Sequence, residues 1–150
     1  MIEEESCYLL ASVVGKVGEG ETARLAKEAI ERARGEARRL GLPTKGLLLR
    51  TNRGPALQSE ASQDYLGAHQ IGQEFAPVGR PQGVGRIERL HRSLKEEKLM
   101  REEIRDPPLE LQRALEEYRY FYNTRRLHQA LGYRTPLEVV EQKRVEVVPC

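Results

Sequence analysis

Cysteine is scarce in this chain: Cys7 and Cys150 stand near opposite ends and far from metal-ligand spacing, which excludes a disulfide framework or a zinc cluster and leaves two free thiols. No run approaches the roughly 18 apolar residues of a membrane span, and the first twenty residues are acidic without an apolar core. A soluble, cytoplasmic protein with no membrane partner is expected. An excess of one charge sign is missing too, since 25 Lys and Arg against 23 Asp and Glu give a net charge of +2. A nonspecific polycation is therefore excluded, and any nucleic-acid contact has to be local, on the clusters from Arg80 to Arg105 and at Arg125-Arg126. Gly83-Val84-Gly85 lacks the Lys-Ser/Thr of a phosphate-cradling loop and follows no strand. His91 and His128 have no carboxylate or cysteine at ligand spacing, so packing or a hydrogen bond is their expected role. No internal repeat or low-complexity segment occurs. The most telling absence is local: Leu47 to Ser59 contains neither Asp nor Glu, although a strand end running into a tight turn is a favoured place for a catalytic carboxylate.

What is present fits one modest domain with a real core. The pattern predicts a strand over Tyr8 to Val14, a loop from Gly15 to Gly20, and a helix from Thr22 to Leu40. That helix keeps Ala26, Ala29, Ile30, Ala33 and Ala37 on one face and stops at Gly41 and Pro43. A strand over Leu47 to Thr51 follows, then a helix capped by Ser59 and running through His69, with Ala61, Tyr65 and Leu66 inward. Ile71 to Phe75 reads as a short edge strand. Strands alternating with helices predict an α/β layer. The second half opens with a Pro- and Gly-rich loop, Ala76 to Gly85, then a helix from Arg86 to Glu103 and another capped by Asp106 with prolines at its first positions. Leu111, Leu115, Tyr118 and Tyr122 fall on one face of that last helix, as core.

On the helix after the loop, Ile87, Leu90 and Leu94 form the inner stripe, and Glu88, Arg92 and Lys95 stand about 100° round from it. Spacing alone favours a solvated face carrying a Glu88–Arg92 pair worth a few tenths of a kcal/mol. The sharper alternative is a metal-binding carboxylate beside cations that hold nucleic-acid phosphates. Likewise, Arg125 and Arg126 have Glu116 and Glu117 within reach as plain surface partners.

The order of motifs decides between these readings. Thr51-Asn52-Arg53-Gly54-Pro55, then Pro81 through Gly85-Arg86-Ile87-Glu88-Arg89, then His91, Leu94, Lys95 and Glu97, and finally "YNTRRLHQALGYRTP" from Tyr122 to Pro136 resemble the catalytic core of retroviral-type integrases and bacterial DDE transposases. The resemblance spans about Cys7 to Val140, and the tail is its most specific part. It implies an α/β fold of RNase H-like type, a mixed sheet flanked by helices, and carboxylates that bind Mg²⁺ or Mn²⁺ for DNA strand transfer. It also implies DNA as partner, through Arg86, Arg89, Arg92 and Lys95, and packing of Tyr122 and Leu131 with Arg126 and His128 fixing the tail by hydrogen bonds. Residues 1–141 would form the core and 142–150 an extension.

Thirty-five residues separate Asn52 from Glu88, the family's interval between its second and third acids, so Asn52 occupies the slot of the second aspartate. An amide offers one neutral oxygen and cannot bridge two divalent ions as a carboxylate does. Glu3, Glu4 and Glu5 lie too close to Tyr8 to supply the first acid and read as a hairpin turn, so the first strand is expected to be absent and the following hairpin shortened. Glu88 is left as the lone acid and lone metal ligand, with metal binding weak or absent. The expectation is a transposase core that does not cut. The competing expectation is a DNA-binding or subunit-binding regulator that pairs with its own copies or with a full-length transposase.

Overall fold

The computed structural model describes residues 1–15, 21–51, 55–75, 85–101 and 108–146. After an N-terminal hairpin the order is α1 (Glu21–Arg39), β1 (Leu48–Thr51), α2 (Pro55–Gln58), α3 (Glu60–Ala68), β2 (Gly72–Phe75), α4 (Gly85–Glu97), α5 (Leu109–Thr124) and α6 (Pro136–Glu146). Single 3-10 turns at Leu99–Arg101 and Gln129–Leu131 follow α4 and α5. Asn52, Asp106, Cys150, the expected loop at 16–20 and positions 76–84 of the next one lie outside the described residues. No helix among the described residues is long and apolar enough to cross a membrane.

The hairpin turn expected at Glu3 to Glu5 is present. The Glu3 carboxylate accepts from the backbone N–H groups of Glu5 at 3.0 Å and Ser6 at 2.7 Å and from the Ser6 hydroxyl, closing the turn on itself. The strand expected over Tyr8 to Val14 is not formed, because only an isolated antiparallel bridge joins Ile2 to Leu9. Its backbone finds other partners. Leu9 N–H donates to Asn123 Oδ1 at 2.8 Å, and Asn123 Nδ2 donates to the Leu9 carbonyl at 3.0 Å. Gln112 repeats the arrangement about three turns nearer the start of α5, donating to the Ser12 carbonyl at 3.2 Å and accepting from Val14 N–H at 3.0 Å. Two side-chain amides thus stand in for a neighbouring strand, satisfying backbone groups that burial would otherwise leave costly.

α1 matches its predicted span. Ile30, Ala33 and Ala37 are buried, and the helix ends as Leu42 N–H donates to the Ala37 carbonyl at 2.9 Å and Gly41 N–H to that of Arg38 at 3.0 Å. Gly41 takes φ 70°, the left-handed conformation this stop requires. β1 and β2 pair in parallel, Leu48 opposite Gly72 and Thr51 opposite Phe75, with α2 and α3 forming the crossover. Among the described residues this pair is the whole sheet, where a mixed sheet was expected. Ile30, Leu66 and Ile71 form the core beneath it, with Met1, Leu47 and Leu49 packed alongside. Ser59 is the N-cap of α3, yet its hydroxyl meets the Ser62 hydroxyl at 2.9 Å and makes no side-chain bond to the helix N–H groups.

The second half carries its own core clusters. Leu9, Leu90, Tyr118 and Tyr122 pack together, with Ile87 and Leu94 against them, as the inner stripes of α4 and α5 predict. Tyr8 packs with Leu40 and Val140, and Cys7 with Leu131 and Val139. α4 ends at Glu97, short of the predicted Glu103, where the Glu97 and Lys98 side chains turn onto α5. α6 begins with a capping box: Thr135 N–H donates to Glu138 Oε2 at 2.7 Å, Glu138 N–H donates back to Thr135 Oγ1 at 3.3 Å, and Pro136 opens the helix.

Candidate nucleic-acid interface

α4 presents Glu88, Arg86, Arg89, Arg92 and Lys95 to solvent while Leu90 is buried and Ile87 and Leu94 are half-buried. Arg86, Arg89, Arg92 and Lys95 follow one another at three-residue steps, a cationic ridge roughly 14 Å long. None of these five residues holds a hydrogen bond or ion pair among the described residues. The expected Glu88–Arg92 pair is therefore not formed. In open solvent its small Coulombic gain does not offset the freezing of two long side chains. Arg86 and Arg89 lie on the flank nearer the hairpin, where burial pushes the Cys7 thiol up and these two cations draw it back. His91 is held below its ordinary value by burial and by the N-terminal charge, with Glu88 acting the other way.

The tail grips α4 at Ser93 and Glu97, on the side away from Arg92 and Lys95. Arg126 does not pair with Glu116 or Glu117 as a surface partner. Its guanidinium reaches across to α4, where Nη2 donates to Glu97 Oε1 at 2.7 Å and to Ser93 Oγ at 3.2 Å, and Nε donates to Glu97 Oε2 at 3.1 Å. The Tyr118 hydroxyl donates to the same carboxylate at 3.1 Å, and the guanidinium lies 5.6 Å from the Tyr122 ring centre. Arg126 holds the Glu97 carboxyl below the usual carboxylate range and is itself held more firmly charged. Burial pushes the Tyr122 phenol up to about 12. Glu116 pairs instead with Arg119 at 2.9 Å, and Glu117 with Lys98 at 2.8 Å, while Arg125 stacks 5.8 Å over the Tyr120 ring. His128 rests edge-on against Tyr122 at 4.7 Å and pairs its backbone N–H with the Arg134 carbonyl at 3.1 Å. Arg126, His128, Tyr122 and Leu131 thus have the packing and fixing roles expected of them.

At the end of β1 the buried Thr51 hydroxyl accepts from Gln73 Nε2 at 3.1 Å, and Gln63 Nε2 donates to Gln73 Oε1 and to the Leu57 carbonyl, each at 2.6 Å. Asn52 follows directly but is outside the described residues, so its placement relative to Glu88 is not described. The donor set fits a two-ion centre poorly. Among the described residues no three His, Cys, Asp or Glu side chains converge as a metal would need. Glu88 is an exposed carboxylate with no second acid or histidine placed to share an ion with it among the described residues.

Sequence reasoning missed Asn123, Gln112 and the Glu97–Arg126 contact. Each joins residues far apart in the chain, and only the quoted tail and helix motifs, which contain Asn123, Arg126 and Glu97, mark them as worth attention.

Residues 69–136 match the model of the integrase core domain family. An ORF3 protein of Spiroplasma virus SpV1-C74, named provisionally as an integrase, is 32% identical over 87 residues, which are 58% of this chain and 24% of that protein. The chain thus spans about a quarter of the length of that relative. Among solved structures, the BIV integrase catalytic core superposes with a TM-score of 0.67 at 22% identity, covering 97% of this chain and 85% of that one. The HTLV-2 integrase catalytic core in complex with magnesium, in its trimeric form, gives 0.62 at 20% identity over 92% of this chain and 80% of that one. Its dimeric form gives 0.62 at 20% identity over 93% and 80%.

Proposed function

We propose that this chain, whose residues 69–136 match the integrase core domain family and whose fold resembles retroviral integrase catalytic cores, binds transposon or target DNA through α4 without performing strand transfer. The observation that carries the reading is the outward face of α4, where Arg86, Arg89, Arg92 and Lys95 stand exposed and outnumber the two exposed acids beside them, Glu88 and Glu96. Phosphate contacts require cations only, whereas cutting and joining require carboxylates around divalent ions. With Asn52 in the slot of the second aspartate, Glu88 is the one family acid left, and Mg²⁺ or Mn²⁺ should bind weakly.

One labelled duplex carrying a transposon end tests both halves. Binding should be weak and salt-sensitive, and the double change Arg92→Ala with Lys95→Ala should flatten the log–log salt dependence by about 2. Asn52→Asp should leave affinity nearly unchanged and should not restore joining. Strand transfer by the unaltered chain in Mg²⁺ or Mn²⁺ would overturn the non-cutting half. Absence of binding at low salt would overturn the other.

A subunit-binding role is the second reading. Tyr120, Leu127 and Tyr133 are large apolar side chains 61%, 58% and 66% exposed on α5 and the tail, and the HTLV-2 core is known in dimeric and trimeric forms. Sedimentation of the purified chain with and without a full-length transposase separates this reading from simple DNA binding.

A further inference from the structure

We infer that Arg126 and Glu97 form a clamp that sets the orientation of α4, making DNA affinity depend on two residues that touch no phosphate. The inference rests on the reading of α4 as the DNA-facing helix. The reason a clamp matters is the light seating of that helix. Leu90 is its one buried residue among those described, and Ile87 and Leu94 are only half covered by Leu9, Tyr118 and Tyr122. Arg126 adds a directional hold. Its planar fork takes both oxygens of Glu97 and the hydroxyl of Ser93 one turn earlier, and Tyr118 fixes the same carboxylate from α5. Arg92 and Lys95 project away from the gripped Ser93 and Glu97, while Arg86 stands on the gripped side; all belong to one rigid helix, so rotation at the grip re-aims the cations. Two motifs far apart in sequence, "HRSLKEE" and "YNTRRLH", therefore meet as a single contact.

The clamp makes a prediction opposite in sign to simple electrostatics. Glu97→Gln removes a negative charge from a DNA-binding helix, which by charge alone strengthens binding. If Glu97 positions the helix, affinity should instead fall about tenfold. Arg126→Gln should cause a fall of similar size with the salt slope unchanged, since no phosphate contact is lost. The double variant should bind no worse than either single one, because a clamp can be opened only once. Amide hydrogen exchange without DNA supplies the independent arm: residues 85–97 should exchange faster in both variants, while those of α1 stay as in the parent.

Tighter binding by Glu97→Gln would overturn the clamp, as would a salt slope flattened by about 1 in Arg126→Gln, the mark of a direct phosphate contact. If the parent binds no DNA, the functional reading fails by itself and the exchange arm still decides. Unchanged exchange over 85–97 in both variants sinks the clamp.

Discussion

Asn123→Ala should destabilise the protein by about 3 kcal/mol, the largest single-residue loss expected in this chain. Asn123 is 2% exposed, and its amide is the partner of both backbone groups of Leu9, at 2.8 and 3.0 Å. An alanine leaves a buried N–H and a buried carbonyl without partners, and each such group costs about 1–3 kcal/mol. The lost volume opens a void beside the Leu9 backbone as well. Asn123→Asp keeps the acceptor for Leu9 N–H but loses the donor and brings a charge into the core, so it should be no milder. Next to it, Thr124→Ala removes an exposed hydroxyl bonded to the Tyr120 carbonyl and should fall within about 0.5 kcal/mol of the parent. Urea unfolding of the three variants provides the check. A loss under about 1 kcal/mol for Asn123→Ala would mean that Leu9 is not held as described.

Glu36→Gln should cost about 2 kcal/mol near neutral pH, and the deficit should shrink in acid. The Glu36 carboxylate lies between three elements. Arg39 donates to both of its oxygens at 2.8 Å, the Tyr8 hydroxyl donates at 2.9 Å, and Arg119 of α5 approaches at 3.4 Å. The Arg39 bonds, with smaller help from Tyr8 and Arg119 against the cost of burial, lower its carboxyl from 4.5 to about 2. A carboxylate lowered on folding stabilises fully above its unfolded value. That stabilisation is lost as the pH falls from about 4.5 towards 2, where the folded form also takes up its proton. Parent and variant should therefore differ most at pH 7, less at pH 3.5, and little near pH 2. A difference that stays constant from pH 7 to 3 would show that shape, not charge, is what Gln replaces poorly.

Local patterns carried much of the fold. The spacing of Ala26, Ala29, Ile30, Ala33 and Ala37 placed α1, and Gly41 its end, because both are set by residues within a few turns of each other. The inner stripe Ile87, Leu90, Leu94 on α4 and the tyrosines of α5 were legible for the same reason. The segment from Tyr8 to Val14 was not. Its apolar character reports burial, and burial does not say whether another strand or a pair of side-chain amides takes its hydrogen bonds. Nor could spacing separate the two arginines at the end of α5. Arg126 bypasses Glu116 and Glu117 for Glu97, because the chain turns after Thr124 and aims that side chain at α4. In the candidate site, the helical period placed Glu88, Arg92 and Lys95 on an accessible face, and the motif resemblance added Arg86 and Arg89. The grip that holds them was hidden, since it depends on a turn whose direction no local pattern states.

The bond between Leu9 and Asn123 spans 114 positions, and this has a meaning for the order in which the molecule is made. A ribosome adding roughly ten residues each second needs on the order of ten seconds after Leu9 is made before Asn123 exists to receive it. Through that interval the N-terminal hairpin has its turn at Glu3 and can rest Tyr8 on the end of α1, but Leu9 has no helix to take its backbone bonds. α1, β1 and β2 can assemble from nearby contacts while it waits. Synthesis should therefore proceed in two stages, a local βαβ half that gathers early and a closing step in which α5 captures the start of the chain. Nascent chains halted before position 123 would expose the Leu9 edge to chaperones, and chains carried past it would bury that edge.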